Sequence, residues 1–110
     1  RYICGMHGIK INIEDYADRI SAIYRELVRQ NKALEINTSG LRQQFGTTMP
    51  DLWGLELYKK AGGEMITVGS DAHTAKDVGT GIMEGIALAK QAGFSDVYLF
   101  RDRKPVAQKI

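Results

Sequence analysis

The chain has 110 residues and a formal net charge of +2, from 15 lysines and arginines against 13 acidic residues. This length is typical of one ordinary domain, and a content of 44% hydrophobic and 25% charged residues is typical of a soluble globular chain. An apolar run near the roughly 20 residues of a membrane span is absent, as is a signal-peptide pattern. The basic residues are scattered among acids, which argues against a nucleic-acid-binding face. The single cysteine, Cys4, fits a reducing cytoplasm.

Hydrophobic periodicity and turn residues predict helices that alternate with strands. Asn12 followed by Glu14 and Asp15 is typical of a helix start, because a capping side chain and early acids satisfy the first turn. In chain order we predict a helix over 14–31, a strand over 33–37, a loop over 38–49, a helix from 50–51 to 61–63, a strand over 64–69, a loop over 70–77, a helix over 77–92, a strand over 96–101 and a short terminal strand over 104–110.

The alternation of helices and apolar strands predicts an α/β fold with a parallel sheet covered by helices. The long loops both follow strands, and the carboxyl ends of parallel strands are where such folds carry their sites. Three or four parallel strands leave two open edges. The chain also begins with Arg1 instead of Met. We therefore expect the last third of a larger barrel, whose edges pair with a missing N-terminal part or with a second copy of the chain.

The strongest motif is Gly-Ser-Asp-Ala-His at residues 69–73, directly after an apolar strand. Asp71 and His73 lie two residues apart and can point the same way in an extended turn. A carboxylate oxygen and an imidazole nitrogen together suit Zn, Mn or Fe. The alternative is that Asp71 caps the next turn and His73 is a solvated loop residue.

The preceding strand carries a second set of polar residues. Glu35 and Asn37 share one strand face, where burial among apolar residues would require a compensating partner. Ser39 and Arg42 follow the strand end, and a hydroxyl with a guanidinium can bind a phosphate. The alternative for Arg42 is an ordinary surface arginine. A pair of metal ligands beside a phosphate-binding hydroxyl and guanidinium predicts phosphoester hydrolysis.

Four segments together resemble the C-terminal part of histidinol-phosphatase of the PHP (polymerase and histidinol phosphatase) superfamily. They are residues 34–42 (Leu-Glu-Ile-Asn-Thr-Ser-Gly-Leu-Arg), 49–50 (Met-Pro), 69–73 and 103–106 (Arg-Lys-Pro-Val). The resemblance runs from about residue 2 to 110. It implies that residues 1–110 are the C-terminal part of a single PHP domain, about three to four βα units of a distorted (β/α)7 TIM-like barrel. The resemblance also implies a site for up to three divalent metals.

The resemblance also implies roles for individual residues. Asp71 and His73 would be the last metal ligands and the catalytic pair, Ser39 and Arg42 would contact the substrate phosphate, and Glu35 and Asn37 would orient the ligands. The family's other ligands, an N-terminal His-x-His pair, a Glu and further histidines, would precede Arg1. The chain then carries about a third of the metal site, and His7 is interpreted as a loop histidine.

The implied activity is that of a cytoplasmic enzyme of histidine biosynthesis. It would hydrolyse histidinol phosphate to histidinol and phosphate, with a small phosphorylated molecule as its partner and no nucleic acid or membrane. The 110-residue chain alone is predicted to have little or no activity. The alternatives are another PHP phosphoesterase, a polymerase-associated nuclease, or a non-catalytic module in which the Asp-x-His pair is a relic.

Overall fold

The computed structural model describes residues 11–44 and 46–110. Cys4 and His7 lie outside the described residues, so the predictions for them stay predictions. The regular elements follow one another in the predicted order. They are α1 (Ala17–Arg29), β1 (Leu34–Asn37), α2 (Leu52–Lys60), β2 (Ile66–Gly69), α3 (Ile82–Gln91), β3 (Asp96–Arg101) and β4 (Lys104–Lys109), with short 3-10 helices at Ile13–Tyr16, Ser39–Arg42 and Ala75–Asp77.

Helix starts follow local capping chemistry. The Asn12 side chain accepts a hydrogen bond from the Glu14 amide at 3.2 Å and opens the 3-10 turn that precedes α1. Asp51 caps α2 in the same way, accepting from the Gly54 amide at 3.0 Å. The helix predicted over 14–31 ends at Arg29, because Asn31 adopts a left-handed conformation with φ of 54°.

The predicted helix over 77–92 begins five residues later than expected, at Ile82. Asp77 instead closes a 3-10 helix. Between the two, Gly79 and Gly81 have φ of 78° and 80°, a region that helices do not use and that glycine enters without a Cβ clash. The loop after β2 is therefore longer than predicted and extends to Gly81.

The strands form two pairs among the described residues. β1 and β2 are parallel, with Leu34 opposite Ile66 and Asn37 opposite Gly69, which confirms the parallel pairing. The expectation of three or four parallel strands is confirmed only for β1 and β2, because among the described residues β3 is hydrogen-bonded to β4 alone and that pair is antiparallel. β4 returns antiparallel along β3, because Asp102 and Arg103 both take positive φ and make a two-residue hairpin turn. β3 also lies in contact with β2.

The core lies between the helices and one face of the β1–β2 pair. Ile36 and Ile66 are fully buried on that face, and the other buried apolar side chains are Tyr24, Leu55, Tyr58, Ala89, Ala92 and Phe94. Glu35 and Asn37 project from the opposite face because strand residues alternate. The helices thus hold β1 and β2 together while their polar face stays open. No helix among the described residues is both long enough and apolar enough to cross a bilayer.

Tyr58 occupies the centre of this core, and its hydroxyl donates to the Met65 carbonyl at 2.9 Å. We expect Tyr58→Phe to lower the free energy of unfolding by about 1 kcal/mol, because the carbonyl loses a buried partner. Urea denaturation measures the change. Tyr16→Phe is the matched control, since Tyr16 is 44% exposed, and an equal loss in both variants would contradict the prediction.

Tyr58 should also make the free energy of unfolding depend on pH in the alkaline range. Burial, with smaller contributions from Tyr24 and Glu64, raises the pKa of Tyr58 above 10.0. The unfolded chain therefore loses this proton first, so stability falls as the pH rises through the unfolded value. The loss between pH 9 and pH 11, about one unit either side of the ordinary tyrosine value, should be smaller in Tyr58→Phe than in the unaltered chain.

Candidate active site at the ends of two parallel strands

The candidate site lies where β1 and β2 end side by side. Because Asn37 is opposite Gly69, the loops that follow the two strands leave the same edge of the sheet. The first loop returns to the strand end, where the Asn37 amide donates to the Met49 carbonyl at 2.9 Å and the Met49 amide donates back at 3.0 Å. The two loops that carry the predicted site residues are therefore neighbours in space.

Asn37 connects the two loops through its side chain. Its Oδ1 accepts from the Ser39 amide at 2.9 Å and from the Ser39 hydroxyl at 2.6 Å. An amide oxygen that receives two donors fixes which end is the NH2 group, and that group donates to Asp71 Oδ2 at 3.2 Å. Ser39 therefore sets the orientation of Asn37, and Asn37 in turn holds the Asp71 carboxylate.

Asp71 and His73 are close to each other at the start of the second loop. Asp71 has φ of 49°, an uncommon backbone conformation for a residue other than glycine. The His73 ring places Nδ1 at 2.9 Å from the Asp71 carbonyl oxygen. A carbonyl only accepts, so Nδ1 is the donor in this contact, and in the neutral form of the ring the lone pair then lies on Nε2. Histidines that ligate metals use the same arrangement, in which one nitrogen donates to an oxygen and the other binds.

Ser39 is buried, with 3% of its surface exposed. Its hydroxyl hydrogen is directed to Asn37 Oδ1, so contact with a phosphate would require the hydroxyl to turn away from the amide. The phosphate role of Ser39 stays a prediction. The contact that the structure records for this side chain is the one that orients Asn37.

Arg42 spans the gap between the two loops. Its Nη2 donates to the Ser70 carbonyl at 3.0 Å, and its Nε lies 3.9 Å from Asp77 Oδ1. The side chain is only 24% exposed. The guanidinium is thus drawn to the β2 loop that carries Asp71 and His73 and does not extend freely into solvent.

Glu35 lies on the same open strand face as Asn37 and packs against Gly69. A Cβ built on Gly69 would come within 2.8 Å of Glu35 Oε2. The glycine therefore makes room for the carboxylate beside the end of β2. The orienting role predicted for Glu35 stays a prediction.

Two hydroxyl residues that were not predicted to belong to the site, Thr38 and Ser70, close the second loop at its base. Thr38 is fully buried, and its hydroxyl lies 2.7 Å from the Thr80 carbonyl and 3.3 Å from the Gly69 carbonyl. The Ser70 hydroxyl accepts from the Gly79 amide at 3.2 Å. The sequence carries no local signal for these contacts, because Thr38 and Thr80 lie 42 residues apart. A Cβ at Gly81 would lie 2.9 Å from the Thr38 side chain.

The described residues fit a metal through a pair of donors. The carboxylate of Asp71 is exposed and oriented, and the Nδ1 atom of His73 is engaged with the Asp71 carbonyl, so Nε2 is the nitrogen that a divalent transition metal would bind. Within residues 11–44 and 46–110, no group of three or more His, Cys, Asp or Glu side chains is arranged to hold a metal ion. A bound metal therefore needs donors in addition to these two.

Curated proteins with similar sequences share one name. The chain is 41% identical over 95 residues to the "Probable histidinol-phosphatase" of Thermotoga maritima, which covers 86% of this chain and 40% of that protein. It is 37% identical over 86 residues to the "Histidinol-phosphatase" of Lactococcus lactis, covering 74% of this chain and 30% of that protein. A "Probable histidinol-phosphatase" of Clostridium acetobutylicum is 24% identical over 93 residues.

The matches cover most of this chain but less than half of each relative. No protein-family profile matches the chain, and the chain spans no more than about 40% of the length of the curated relatives it matches. The match nevertheless extends over most of this chain at 41% identity. The resemblance read from the motifs is confirmed, and this chain is a sequence relative of the histidinol-phosphatases.

Proposed function

We propose that the full-length protein containing this chain hydrolyses a phosphomonoester in a metal-dependent reaction, converting histidinol phosphate to histidinol and phosphate in histidine biosynthesis. One observation carries the proposal. Asn37 at the end of β1 contacts Asp71, and Arg42 in the following loop contacts Ser70, so the donor pair and a cation meet at one edge of the sheet. The names of the relatives support a phosphatase.

Asp71 and His73 would hold the metal, Zn, Mn or Fe, through a carboxylate oxygen and Nε2. When bound, such a metal supplies hydroxide at neutral pH and neutralises charge on the phosphate. Asn37 keeps Asp71 in place through its NH2 group, and the Asp71 carbonyl keeps His73 in the tautomer that presents Nε2. The intact site holds up to three metals in this proposal, with the remaining donors supplied from outside the described residues.

Arg42 would bind the phosphoryl oxygens. Its guanidinium is held by the Ser70 carbonyl through Nη2, which leaves hydrogens on its other nitrogens for an anion. A charge that is already positioned stabilises the developing negative charge without having to reorganise. Ser39 supports this site by orienting Asn37 and becomes a phosphate donor if its hydroxyl turns. Glu35 would orient ligands from the neighbouring position on β1.

The setting of the activity is also a proposal. The single cysteine supports a reducing cytoplasm, and the substrate is a small phosphorylated molecule. β4 lies at the edge of its pair, and an exposed strand edge can pair with another chain, so a homo-oligomer or the rest of a barrel would cover it. The 110-residue chain alone should have little activity, because its described residues offer only a pair of metal donors.

Substrate comparison tests the proposal. The full-length protein, loaded with Zn or Mn, would be assayed for phosphate release from histidinol phosphate and from an aryl phosphate, and for cleavage of single-stranded DNA. We expect histidinol phosphate to be preferred, with activity lost on chelation. Preference for the aryl phosphate indicates a general phosphoesterase, and preference for DNA indicates a nuclease. The absence of bound metal would leave a non-catalytic module and contradict the proposal.

A further inference from the structure

Asp77 lies in the β2–α3 loop with each carboxylate oxygen turned to a different neighbour. Its Oδ2 accepts from the Thr74 hydroxyl at 3.0 Å, and its Oδ1 lies 3.9 Å from Arg42 Nε. The Asp77 amide donates to the Thr74 carbonyl at 3.1 Å, which closes a short turn. The position of the Asp77 carboxylate is therefore set by contacts within its own loop, independently of Arg42.

The distance to Arg42 determines what Asp77 can do. At 3.9 Å the carboxylate is within ion-pair reach of Nε but beyond hydrogen-bond length. The only donor of Arg42 committed at hydrogen-bond distance among the described contacts is Nη2, to the Ser70 carbonyl. Asp77 thus attracts the guanidinium without occupying a donor that a phosphate would use.

The contact between Asp77 and Arg42 should contribute little to the free energy of folding. Both side chains keep about a quarter of their exposure, 24% for Arg42 and 26% for Asp77, and partly exposed ion pairs contribute little to folding. A carboxylate beside an anion-binding arginine also repels the anion. This arrangement favours the orientation of the guanidinium over its net charge. Orientation matters for phosphate binding, because arginine binds phosphate through a planar, directional set of donors.

We propose that Asp77 is the positioning residue for Arg42, holding the guanidinium over the β2 loop so that its remaining donors face the substrate phosphate. The inference rests on the proposed function, which places the phosphate at Arg42. It adds a residue that acts through the arginine and does not touch substrate. Thr74 belongs to the same device, since its hydroxyl holds the other carboxylate oxygen.

The test is Asp77→Asn in the full-length, metal-loaded protein. Asparagine keeps an oxygen for Thr74 and removes the charge, so the loop retains its turn. We expect KM for histidinol phosphate to rise by about three- to tenfold, with kcat within about twofold, the size of a typical coupling between neighbouring charged side chains. Asp77→Glu, which keeps the negative charge, should raise KM less than Asp77→Asn does. Asp102→Asn, in the hairpin turn, is the matched control and should leave both constants unchanged.

A double-mutant cycle separates positioning from a structural role. In an Arg42→Ala background, Asp77→Asn should change KM by less than about twofold, because the residue acts through the missing arginine. Equal effects in both backgrounds would overturn the inference. A lower KM in Asp77→Asn would overturn it as well, since that result means that the carboxylate mainly repels the phosphate.

A second measurement keeps the two proposals distinguishable. If the unaltered protein does not hydrolyse histidinol phosphate, the proposed function is wrong. The role of Asp77 can still be tested, because inorganic phosphate can be titrated into the protein while the Arg42 Nε–H resonance is followed by NMR. We expect Asp77→Asn to weaken this binding by about three- to tenfold. Phosphate binding at Arg42 that is unchanged or tighter in the variant, or absent from the unaltered protein, would contradict the inference.

Discussion

Asp71→Asn should abolish turnover of histidinol phosphate by the full-length protein. The substitution removes one of the two metal donors and replaces a charged oxygen by a weak neutral one, in the group that Asn37 holds at 3.2 Å. Losing a partner that only orients a metal ligand costs about 10- to 100-fold, and loss of the ligand itself should exceed that. Steady-state phosphate release measures the effect, with metal content determined on the same sample.

Asn37→Ala supplies the graded comparison for this variant. It removes the donor to Asp71 and leaves the carboxylate in place, so activity should fall by about 10- to 100-fold and recover partly at high metal concentration. Asp102→Asn is the matched control for the charge change at a residue that also has positive φ. Full activity in Asp71→Asn would show that this carboxylate does not hold the metal.

Arg42→Ala should act mainly on substrate binding. A hydrogen bond to a charged group contributes roughly 1.5–3 kcal/mol, so KM for histidinol phosphate should rise by about 10- to 100-fold while metal content stays constant. Arg42→Lys should restore only part of the loss, because an ammonium group lacks the planar donor set. Arg101→Ala is the control, since Arg101 is exposed at the end of β3.

The Arg42 prediction can fail in a recognisable way. The side chain also connects the loops through the Ser70 carbonyl, so a purely structural role would lower thermal stability and metal content together. A loss of kcat with KM unchanged, accompanied by metal loss, would assign Arg42 to the support of the loop and remove it from phosphate binding.

The order of elements was predictable because it depends on local patterns. Apolar spacing located the helices, the cap predicted at Asn12 forms, and the helix predicted to start at 50–51 is capped by Asp51. The strand over 96–101 was placed with its correct limits. The errors arose where backbone conformation departs from the ordinary regions. Gly79 and Gly81 delay α3, and the positive φ of Asp102 and Arg103 reverses the chain into a hairpin.

The site was predictable as a set of residues and not as a set of contacts. Residue types and the parallel pairing brought Asn37 and Asp71 to one edge, as expected. The involvement of Thr38 and Asp77 depends on contacts between residues about 30 to 40 positions apart in the sequence. A single sequence contains no pattern for such distances. The left-handed conformation of Asp71, a residue without the freedom of glycine, likewise has no local signal.

The proposed metal donors, Asp71 and His73, can be tested directly by NMR. Histidine-selective 15N NMR of the full-length protein, recorded during addition of Zn to the metal-free form, would follow both ring nitrogens of His73 beside the return of phosphate release. We expect the Nε2 resonance of His73 to shift on metal binding, Nδ1 to keep its hydrogen on the Asp71 carbonyl, and activity to return in parallel. Activity that returns while the His73 resonances stay unchanged would contradict this expectation.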